Sequence, residues 1–261
     1  MKLSIITVNY NDAKGLERTI KSVISQSYHD FEFIVIDGGS SDKSLGIIKK
    51  YEQHIDYWVS EPDGGIYLGM NKGLRQAQGD YVNFMNSGDR FYSFDALERI
   101  FSLGTDADII TGTHVGSPHP NVGKDGISLY TLCTGAVDHQ ASFIKRDVAL
   151  RHPYDEKYKI VSDWKFFIEA LIIDNCSFFY TETIVVDVDM TGVSNTATDL
   201  NRREREAVLK ELFPERILTD YHLLMSIHPD LLQISPRLTK SQSIRKSIVK
   251  LARILLSIKH V

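Results

Sequence analysis

The sequence has few cysteines and no long apolar run, so it has little that could form disulfides or span a membrane. Its 261 residues include two cysteines, Cys133 and Cys176, too few for a disulfide framework and not at the spacing of a metal site. No apolar run approaches the roughly 18 residues that a membrane-spanning helix needs. The first nine residues are too short for a signal peptide, so we expect a cytoplasmic protein. The 43% hydrophobic and 25% charged content excludes a disordered or fibrous chain.

Acidic side chains are absent from residues 231–261, which carry seven lysines and arginines. Residues 1–230 hold the other 23 basic residues and all 34 acidic ones, a net charge of −11. An acidic body offers no basic groove, so we do not expect a nucleic-acid partner. The C-terminal segment therefore needs an explanation of its own.

Apolar residues recur at helical spacing in that segment and predict an amphipathic helix over residues 244–258. One interpretation is that its apolar face packs on the rest of the protein, or on a second copy of the chain in a homodimer. The other is a peripheral anchor on the anionic inner face of the cell membrane, where each Lys or Arg contributes about 1 kcal/mol. The sequence leaves both interpretations open.

The first ninety residues alternate between strand and helix patterns. Short runs rich in β-branched residues predict strands at 3–8, 31–36, 55–60 and 81–85. Helical spacing predicts a helix in each interval between them. This alternation is typical of an α/β fold, with a mostly parallel central sheet flanked by helices. Ligands of such sheets bind beyond the carboxyl ends of the strands, where four polar loops follow here.

The rest of the chain is less regular. Strands are predicted at about 107–113, 141–144 and 177–188, and a helix at about 163–173. From Asp199 onward the pattern is helical. We expect a main domain over residues 1–198 and a C-terminal helical extension over residues 199–261.

Glycine, serine and aspartate fill the loop at 37–42, directly after the second predicted strand. Glycines let a backbone approach a ligand, and the Asp37 carboxylate could accept hydrogen bonds from a base or a ribose. The alternative is an ordinary strand-to-helix turn with a capping Ser or Asp. The loop does not read G-x-G-x-x-G, so the dinucleotide fingerprint is absent.

A second polar loop, Asn86-Ser87-Gly88-Asp89, follows the fourth predicted strand. A carboxylate at a buried strand end is well placed to hold Mg²⁺ or Mn²⁺, which bridge phosphates with few protein ligands. The alternative is a polar turn that caps a helix near residues 94–101.

Asp163 stands at the start of the helix predicted over 163–173. An aspartate there usually caps the helix by accepting from its free N–H groups. The functional alternative is a general base that projects into the edge of the sheet. Histidines such as His114, His119 and His139 form no triad or zinc spacing.

Taken in order, these segments resemble glycosyltransferase family 2, whose members are inverting transferases with the GT-A fold that use nucleotide-diphosphate sugars. The resemblance covers about residues 2–195, and the subgroup it is most similar to contains bacterial transferases of colanic-acid and O-antigen assembly. The matching residues lie at 4–11, 22–28, 36–42, 61–67, 70–73, 79–81 and 86–89.

The resemblance implies that one set of residues holds a nucleotide-sugar donor, with a uracil base. That set is Thr7, Val8, Asn9, Asp37, Asp63, Lys72, Asn86, Ser87 and Gly88.

The resemblance also implies the groups that perform the reaction. Asp163 stands where the family keeps its catalytic base, and Asp89 is the carboxylate of the metal-binding DxD place, for Mg²⁺ or Mn²⁺. His139 and Gln140 match a motif near the acceptor or the diphosphate, and residues 192–194 match a further one.

Two positions depart from the family pattern. Gly38 stands where many relatives have a second aspartate that binds the base, and the DxD place reads Asn-Ser-Gly. One carboxylate ligand is therefore missing, and we expect weak metal binding. Both changes look typical of the subgroup.

The resemblance implies sugar transfer with inversion to a glycan or a polyprenyl-diphosphate-linked acceptor in the synthesis of cell-surface polysaccharide. Two alternatives remain. One is a weakly active or inactive module that only binds nucleotide sugars, because the metal motif is thinned. The other is a nucleotidyltransferase, although such an enzyme would favour a basic glycine-rich loop after the first strand, where this sequence offers only Lys14.

Overall fold

The computed structural model describes residues 3–116, 126–135, 137–189 and 198–226, together with Lys246 and Lys250. Contacts divide the chain into two compact units, Met1–Leu212 and Phe213–Val261. The domain boundary that the sequence suggests, between residues 198 and 199, stays a prediction.

The first part of the first unit alternates strand and helix, as predicted. Its elements are β1 (Leu3–Asn9), α1 (Ala13–Ile24), β2 (Phe31–Asp37), α2 (Ser44–Tyr51), β3 (Tyr57–Ser60), α3 (Ile66–Gln76) and β4 (Tyr81–Phe84). Every residue of β1 is buried. A strand covered on both faces explains why its sequence reads as a continuous apolar run instead of an alternating one.

The second part is less regular. Its elements are β5 (Arg90–Phe91), α4 (Ala96–Phe101), β6 (Ile109–His114), α5 (Leu129–Thr134), β7 (Ser142–Lys145), α6 (Arg146–Arg151), α7 (Ser162–Ile168), β8 (Phe178–Asp187) and α8 (Thr198–Leu212). The helix predicted over 163–173 is α7, followed by one π-type turn at Glu169–Ile173. The sequence did not predict β5, α5 or α6.

The eight strands of the described residues form one sheet in the order β3-β2-β1-β4-β7-β6-β8-β5. The pairs β1–β2, β1–β4, β2–β3 and β6–β8 are parallel. The pairs β4–β7, β6–β7 and β5–β8 are antiparallel. The predicted α/β fold with flanking helices is therefore confirmed, and its sheet is parallel from β3 to β4 and mixed beyond. The carboxyl ends of β1, β2, β3 and β4 meet at one edge.

Helix α3 lies unusually close to the sheet. A Cβ atom on Gly73 would stand 2.4 Å from Ile6 Cγ2, and one on Gly69 would stand 2.7 Å from Val8 Cγ1. Glycine is therefore required at both positions, which lie one turn apart on the inner face of the helix. This close contact sets the height of α3 above β1.

The second unit contains α9 (Glu215–Ser226) among its described residues. Of the predicted amphipathic helix at 244–258, Lys246 and Lys250 are described, and both are helical and exposed. The apolar stripe of that helix lies outside the described residues, as do His119 and the motif at 192–194. Within the described part of the chain, no helix is both long and apolar enough to cross a membrane.

Candidate active site

Asp37 is the hydrogen-bonding centre of the β2 end. Its Oδ1 accepts from Asn9 Nδ2 at 2.7 Å and Ser40 Oγ at 2.6 Å, and its Oδ2 accepts from Ser60 Oγ at 2.6 Å and Ser40 N–H at 3.0 Å. Burial alone would raise the pKa of Asp37, but the hydrogen bonds from Ser40, Ser60 and Asn9 hold it below its usual value. Asp37 thus joins β1, β2 and β3 where the predicted donor pocket begins.

Asp63 lies over the glycine that departs from the family pattern. Its Oδ1 is 3.0 Å from the position that a Cβ on Gly38 would occupy, and it accepts a hydrogen bond from Gly65 N–H at 3.1 Å. Val8 packs against Gly69 beside the same carboxylate. The structure therefore brings Val8, Gly38 and Asp63 together, and the Asp63 carboxylate takes the space beside Gly38.

Lys72 and Thr7 have partners of their own. Lys72 Nζ donates to Glu61 Oε1 at 2.8 Å, so the cation is held beside the loop that carries Asp63. Thr7 is buried, and its hydroxyl donates to the backbone oxygen of Met85 at 2.7 Å. Thr7 therefore fixes the end of β4 to β1 instead of pointing into open space.

The loop Asn86–Asp89 rests on the first helix. Thr19 of α1 donates through Oγ1 to the backbone oxygen of Asp89 at 2.6 Å and accepts from Gly88 N–H at 3.1 Å. Ser87 Oγ donates to Asp12 Oδ2 at 3.1 Å. The loop does not cap α4, which begins at Ala96 with Asp95 at its N-cap. The alternative interpretation of this loop as a helix-capping turn is therefore not what the structure shows.

Asp89 is buried beside a second carboxylate. Its Oδ1 accepts from Asp189 N–H at 2.8 Å. Burial raises the pKa of Asp89 and the nearby charge of Asp189 adds to the rise, while the Asp189 N–H, His139 and a hydrogen bond from Gln140 oppose it. Such a site favours a cation, which would remove the repulsion between the two carboxylates.

Asp163, the predicted base, has three partners: Tyr67, His139 and the backbone N–H of Trp164. Tyr67 donates to its Oδ1 at 3.0 Å and to the backbone oxygen of Ile160 at 2.7 Å, while His139 Nδ1 lies 3.2 Å from its Oδ2. Burial would raise the pKa of Asp163, but His139 and Tyr67 hold it below its usual value. Asp163 is therefore ionised at neutral pH, as a general base must be.

Asp163 is not the N-cap residue of α7, because that position is occupied by Val161. Its carboxylate nevertheless accepts a hydrogen bond from the Trp164 N–H in the first turn, so the helix start also stabilises its charge. Burial alone would lower the pKa of His139, but the charges of Asp163, Asp89 and Asp138 raise it above its usual value and favour the imidazolium. The His139 imidazolium thus interacts with the charges of both the predicted base, Asp163, and the predicted metal ligand, Asp89.

Several buried polar atoms of this region have no hydrogen-bond partner among the described residues. Asn9 Oδ1, Asn86 Oδ1 and His139 Nε2 are among them. A buried polar atom without a partner costs about 1–3 kcal/mol, so proteins rarely keep one without a use. Their positions, at the ends of β1 and β4 and beside Asp163, indicate a site built to bind a polar ligand.

The donor atoms at Asp89 fit a hard divalent cation. Carboxylate and amide oxygens are the ligands that Mg²⁺ and Mn²⁺ take when phosphates complete the coordination, and the partnerless Asn86 Oδ1 belongs to the same loop. Among the described residues, no three His, Cys, Asp or Glu side chains form a group that could hold a metal by themselves. A cation here would therefore depend on substrate oxygens.

The sequence did not identify three residues of this region. Tyr67 stood inside a matched motif, but its partner Asp163 is 96 positions away. Arg18 and Asp189 were missed because nothing in their spacing links α1 to the end of β8. A signal existed for Asp189, which is a carboxylate at a strand end like Asp37 and Asp89.

The profile of Glycosyl transferase family 2 matches residues 4–140. An uncharacterised glycosyltransferase of Mycobacterium tuberculosis is 34% identical over 230 residues, which is 84% of this chain and 84% of the relative.

Two solved structures share the fold at low sequence identity. S. aureus TarS, residues 1–349, in complex with UDP-GlcNAc has a TM-score of 0.63 and 19% identity over 76% of this chain. This chain spans 61% of that TarS chain. A mannosyltransferase from Pyrobaculum calidifontis, in complex with GDP-Man and Mn²⁺, has a TM-score of 0.63 and 16% identity, covering 97% of this chain and 80% of its own.

Proposed function

The chain belongs to glycosyl transferase family 2 and is a glycosyltransferase, and from this premise we propose that it moves a sugar from a UDP-linked donor to a hydroxyl group of a glycan or lipid-linked acceptor, with inversion. The observation that carries the proposal is the ionised carboxylate of Asp163, which Tyr67 and His139 contact. It lies in the same site as the polar atoms at the strand ends that have no hydrogen-bond partner. Synthesis of a cell-surface polysaccharide is the setting we propose.

Asp163 acts on the acceptor. Its carboxylate takes the proton of the acceptor hydroxyl while that oxygen forms a bond to the anomeric carbon. The bond from the anomeric carbon to the diphosphate breaks, and its electron pair leaves with the diphosphate. A single displacement of this kind inverts the configuration. General-base assistance contributes about 10²–10⁴-fold.

The donor lies on the β1–β4 side of the site. Val8, Asn9, Asp37 and Asp63 surround the proposed position of the uracil and ribose, with Thr7 fixing the strand beneath them. TarS in complex with UDP-GlcNAc supports uridine, whereas the P. calidifontis enzyme with GDP-Man keeps guanosine as the alternative to test. The partnerless Asn9 Oδ1 would accept from the nucleotide.

The diphosphate lies between Lys72 and the loop Asn86–Asp89. Lys72 is held near it by Glu61, and His139 would donate through Nε2 on the side opposite Asp163. Gln140, bonded to Asp89, fixes the carboxylate. Asp89 with Asn86 would hold Mg²⁺ or Mn²⁺, which neutralises the charge that grows on a departing diphosphate.

The acceptor is proposed to sit at a membrane surface, with the basic segment 244–258 as the anchor. A polyprenyl-diphosphate-linked acceptor would be held at the inner leaflet, where that segment's lysines and arginines favour anionic lipid. Binding of a variant ending at Leu238 to anionic vesicles tests this. Unchanged binding would contradict the anchor.

A donor screen tests the proposal as a whole. UDP- and GDP-linked hexoses are incubated with the full-length protein and Mn²⁺, and the released nucleotide is identified, with Asp89→Ala as the control. Release of nucleoside diphosphate is expected. Release of pyrophosphate would indicate a nucleotidyltransferase instead, and no turnover with any donor would indicate a module that only binds.

A further inference from the structure

The glycine that replaces a carboxylate in the metal motif is covered by a carboxylate from the segment that follows β8. A Cβ atom on Gly88 would stand 3.1 Å from Asp189 Oδ2 and 3.2 Å from Asp189 Cβ. Asp189 follows the end of β8, and 101 positions separate it from Gly88 in the chain. The Asp189 side chain therefore lies where a side chain of residue 88 would begin.

Gly88 cannot carry that side chain itself. Its φ is +99°, which an L-residue with a side chain rarely adopts. The space beside its Cα is also already filled by Asp189. Both observations explain why glycine stands at this place of the motif, and together they tie its presence to Asp189.

Two further contacts bind Asp189 to the motif loop. Its N–H donates to Asp89 Oδ1 at 2.8 Å. Arg18 of α1 donates through Nη2 to Asp189 Oδ2 at 2.9 Å and to the backbone oxygen of Gly88. Asp189 is therefore held at the loop in two ways: its backbone N–H bonds to Asp89, and its carboxylate bonds to Arg18 of α1.

From this arrangement we infer that Asp189 supplies the second carboxylate of the divalent-cation site, in place of the one that the motif lacks at Gly88. Asp89 and Asp189 are the two acidic ligands, and Asn86 Oδ1, buried and without a partner among the described residues, is a neutral oxygen in the same loop. The inference rests on the proposed function, because the diphosphate of the donor completes the coordination.

Arg18 is consistent with this role. Carboxylates that bind metals commonly accept a second hydrogen bond from an outer residue, which orients them. With Asp189 as a ligand, the site would have two carboxylates instead of the one that the motif supplies.

Mn²⁺ binding to the full-length protein tests the inference without any turnover. Free Mn²⁺ is measured by electron paramagnetic resonance, with and without UDP, for wild type, Asp189→Asn, Asp89→Asn and Asp187→Asn. Asp187 is the matched control because it lies two residues away and pairs with Arg90 at 2.6 Å much as Asp189 pairs with Arg18. Asp189→Asn and Asp89→Asn are expected to weaken Mn²⁺ binding by about tenfold or more, while Asp187→Asn stays within about twofold.

The outcomes separate this inference from the proposed function. If Asp89→Asn weakens binding and Asp189→Asn does not, Asp189 is no ligand and only this inference fails. If neither variant changes Mn²⁺ binding, the cation site of the proposed function fails as well.

The Asp189→His variant tests whether residue 189 binds the metal directly, because a purely structural role would not change the preference for Mn²⁺ over Mg²⁺. Imidazole favours Mn²⁺ and Co²⁺ over Mg²⁺ relative to a carboxylate. A ligand at 189 predicts that the preference of Asp189→His for Mn²⁺ over Mg²⁺ rises by about fivefold or more. An unchanged ratio in a folded variant would overturn the inference.

Discussion

Two aspartates, the buried Asp37 at the end of β2 and the partly exposed Asp163 at the start of α7, are kept ionised by different means. Asp37 accepts hydrogen bonds from uncharged groups, the side chains of Asn9, Ser40 and Ser60 and one backbone N–H. Asp163 depends on the charge of His139 and on the hydroxyl of Tyr67. Neutral donors keep their hydrogen bonds at any pH at which the carboxylate is ionised, whereas a histidine can lose its charge near neutrality. Asp37 is therefore suited to a structural role at the strand ends, and Asp163 is suited to take part in proton transfer.

The largest effect is expected on the turnover rate, when the proposed base Asp163 is replaced. Asp163→Asn should retain nucleotide binding and lower the turnover rate by at least about 10²-fold, because the amide cannot accept the proton. Nucleoside-diphosphate release and UDP affinity are measured together. Asp174→Asn is the matched control, since Asp174 is similarly exposed and also pairs with a histidine, His152, at 2.7 Å. Near-normal turnover in Asp163→Asn would remove it as the base.

The next largest effect is expected on the free energy of unfolding, when Asp37 at the end of β2 is replaced. Asp37→Asn places an N–H₂ group among three side-chain donors and should lower the free energy of unfolding by about 2–3 kcal/mol. The melting temperature should fall by roughly 4–12 °C for a protein of this size. Asp106→Asn, at a carboxylate that is 86% exposed, should stay close to wild type. Equal melting temperatures for the two variants would show that Asp37 is not a structural centre.

The sign of the pH dependence separates the two aspartates further. The depressed pKa of Asp37 stabilises the fold above the unfolded carboxyl value of about 4, and that stabilisation is lost as the pH falls through the lower folded pKa. The raised pKa of His139 stabilises the fold below the unfolded imidazole value of about 6.5. That second contribution is lost as the pH rises through the higher folded pKa.

His139→Gln should therefore remove the decline in stability of the wild type on the alkaline side of about pH 6.5. It should also weaken the acid limb, because Asp163 loses a partner that lowers its pKa. Turnover should fall by about tenfold, because Asp163 loses its charged partner. Urea unfolding between pH 4 and 9 measures the first effect. An alkaline decline that persists in His139→Gln would mean that the ion pair contributes little.

The smallest effect concerns the second partner of Asp163. Tyr67→Phe removes a hydroxyl that donates to Asp163 and Ile160, and it should cost about 1 kcal/mol of unfolding free energy. Tyr154→Phe is the matched control, because the Tyr154 hydroxyl is buried and has no partner among the described residues. Its removal should be neutral or slightly stabilising. Equal destabilisation by both substitutions would contradict the role of Tyr67.

The β2 aspartate could be predicted from the sequence and the network of the α7 aspartate could not. Asp37 directly follows an apolar strand, and the register of β1 with β2 places it opposite Asn9. Asp163 was assigned its role from the family resemblance, but Tyr67 and His139 reach it from α3 and from the turn before β7. The antiparallel pairing of β7 could not be read either, because nothing in its four residues specifies a direction.

Close packing of α3 on β1 has a consequence for how new donor specificities could arise. The inner face of that helix admits no side chain at Gly69 or Gly73, so a methyl group there would lift Tyr67 and Lys72 away from their partners at once. Directed evolution toward another sugar should therefore reject changes on this helix face. In a deep mutational scan, the two glycines would mark the part of the enzyme that cannot be varied.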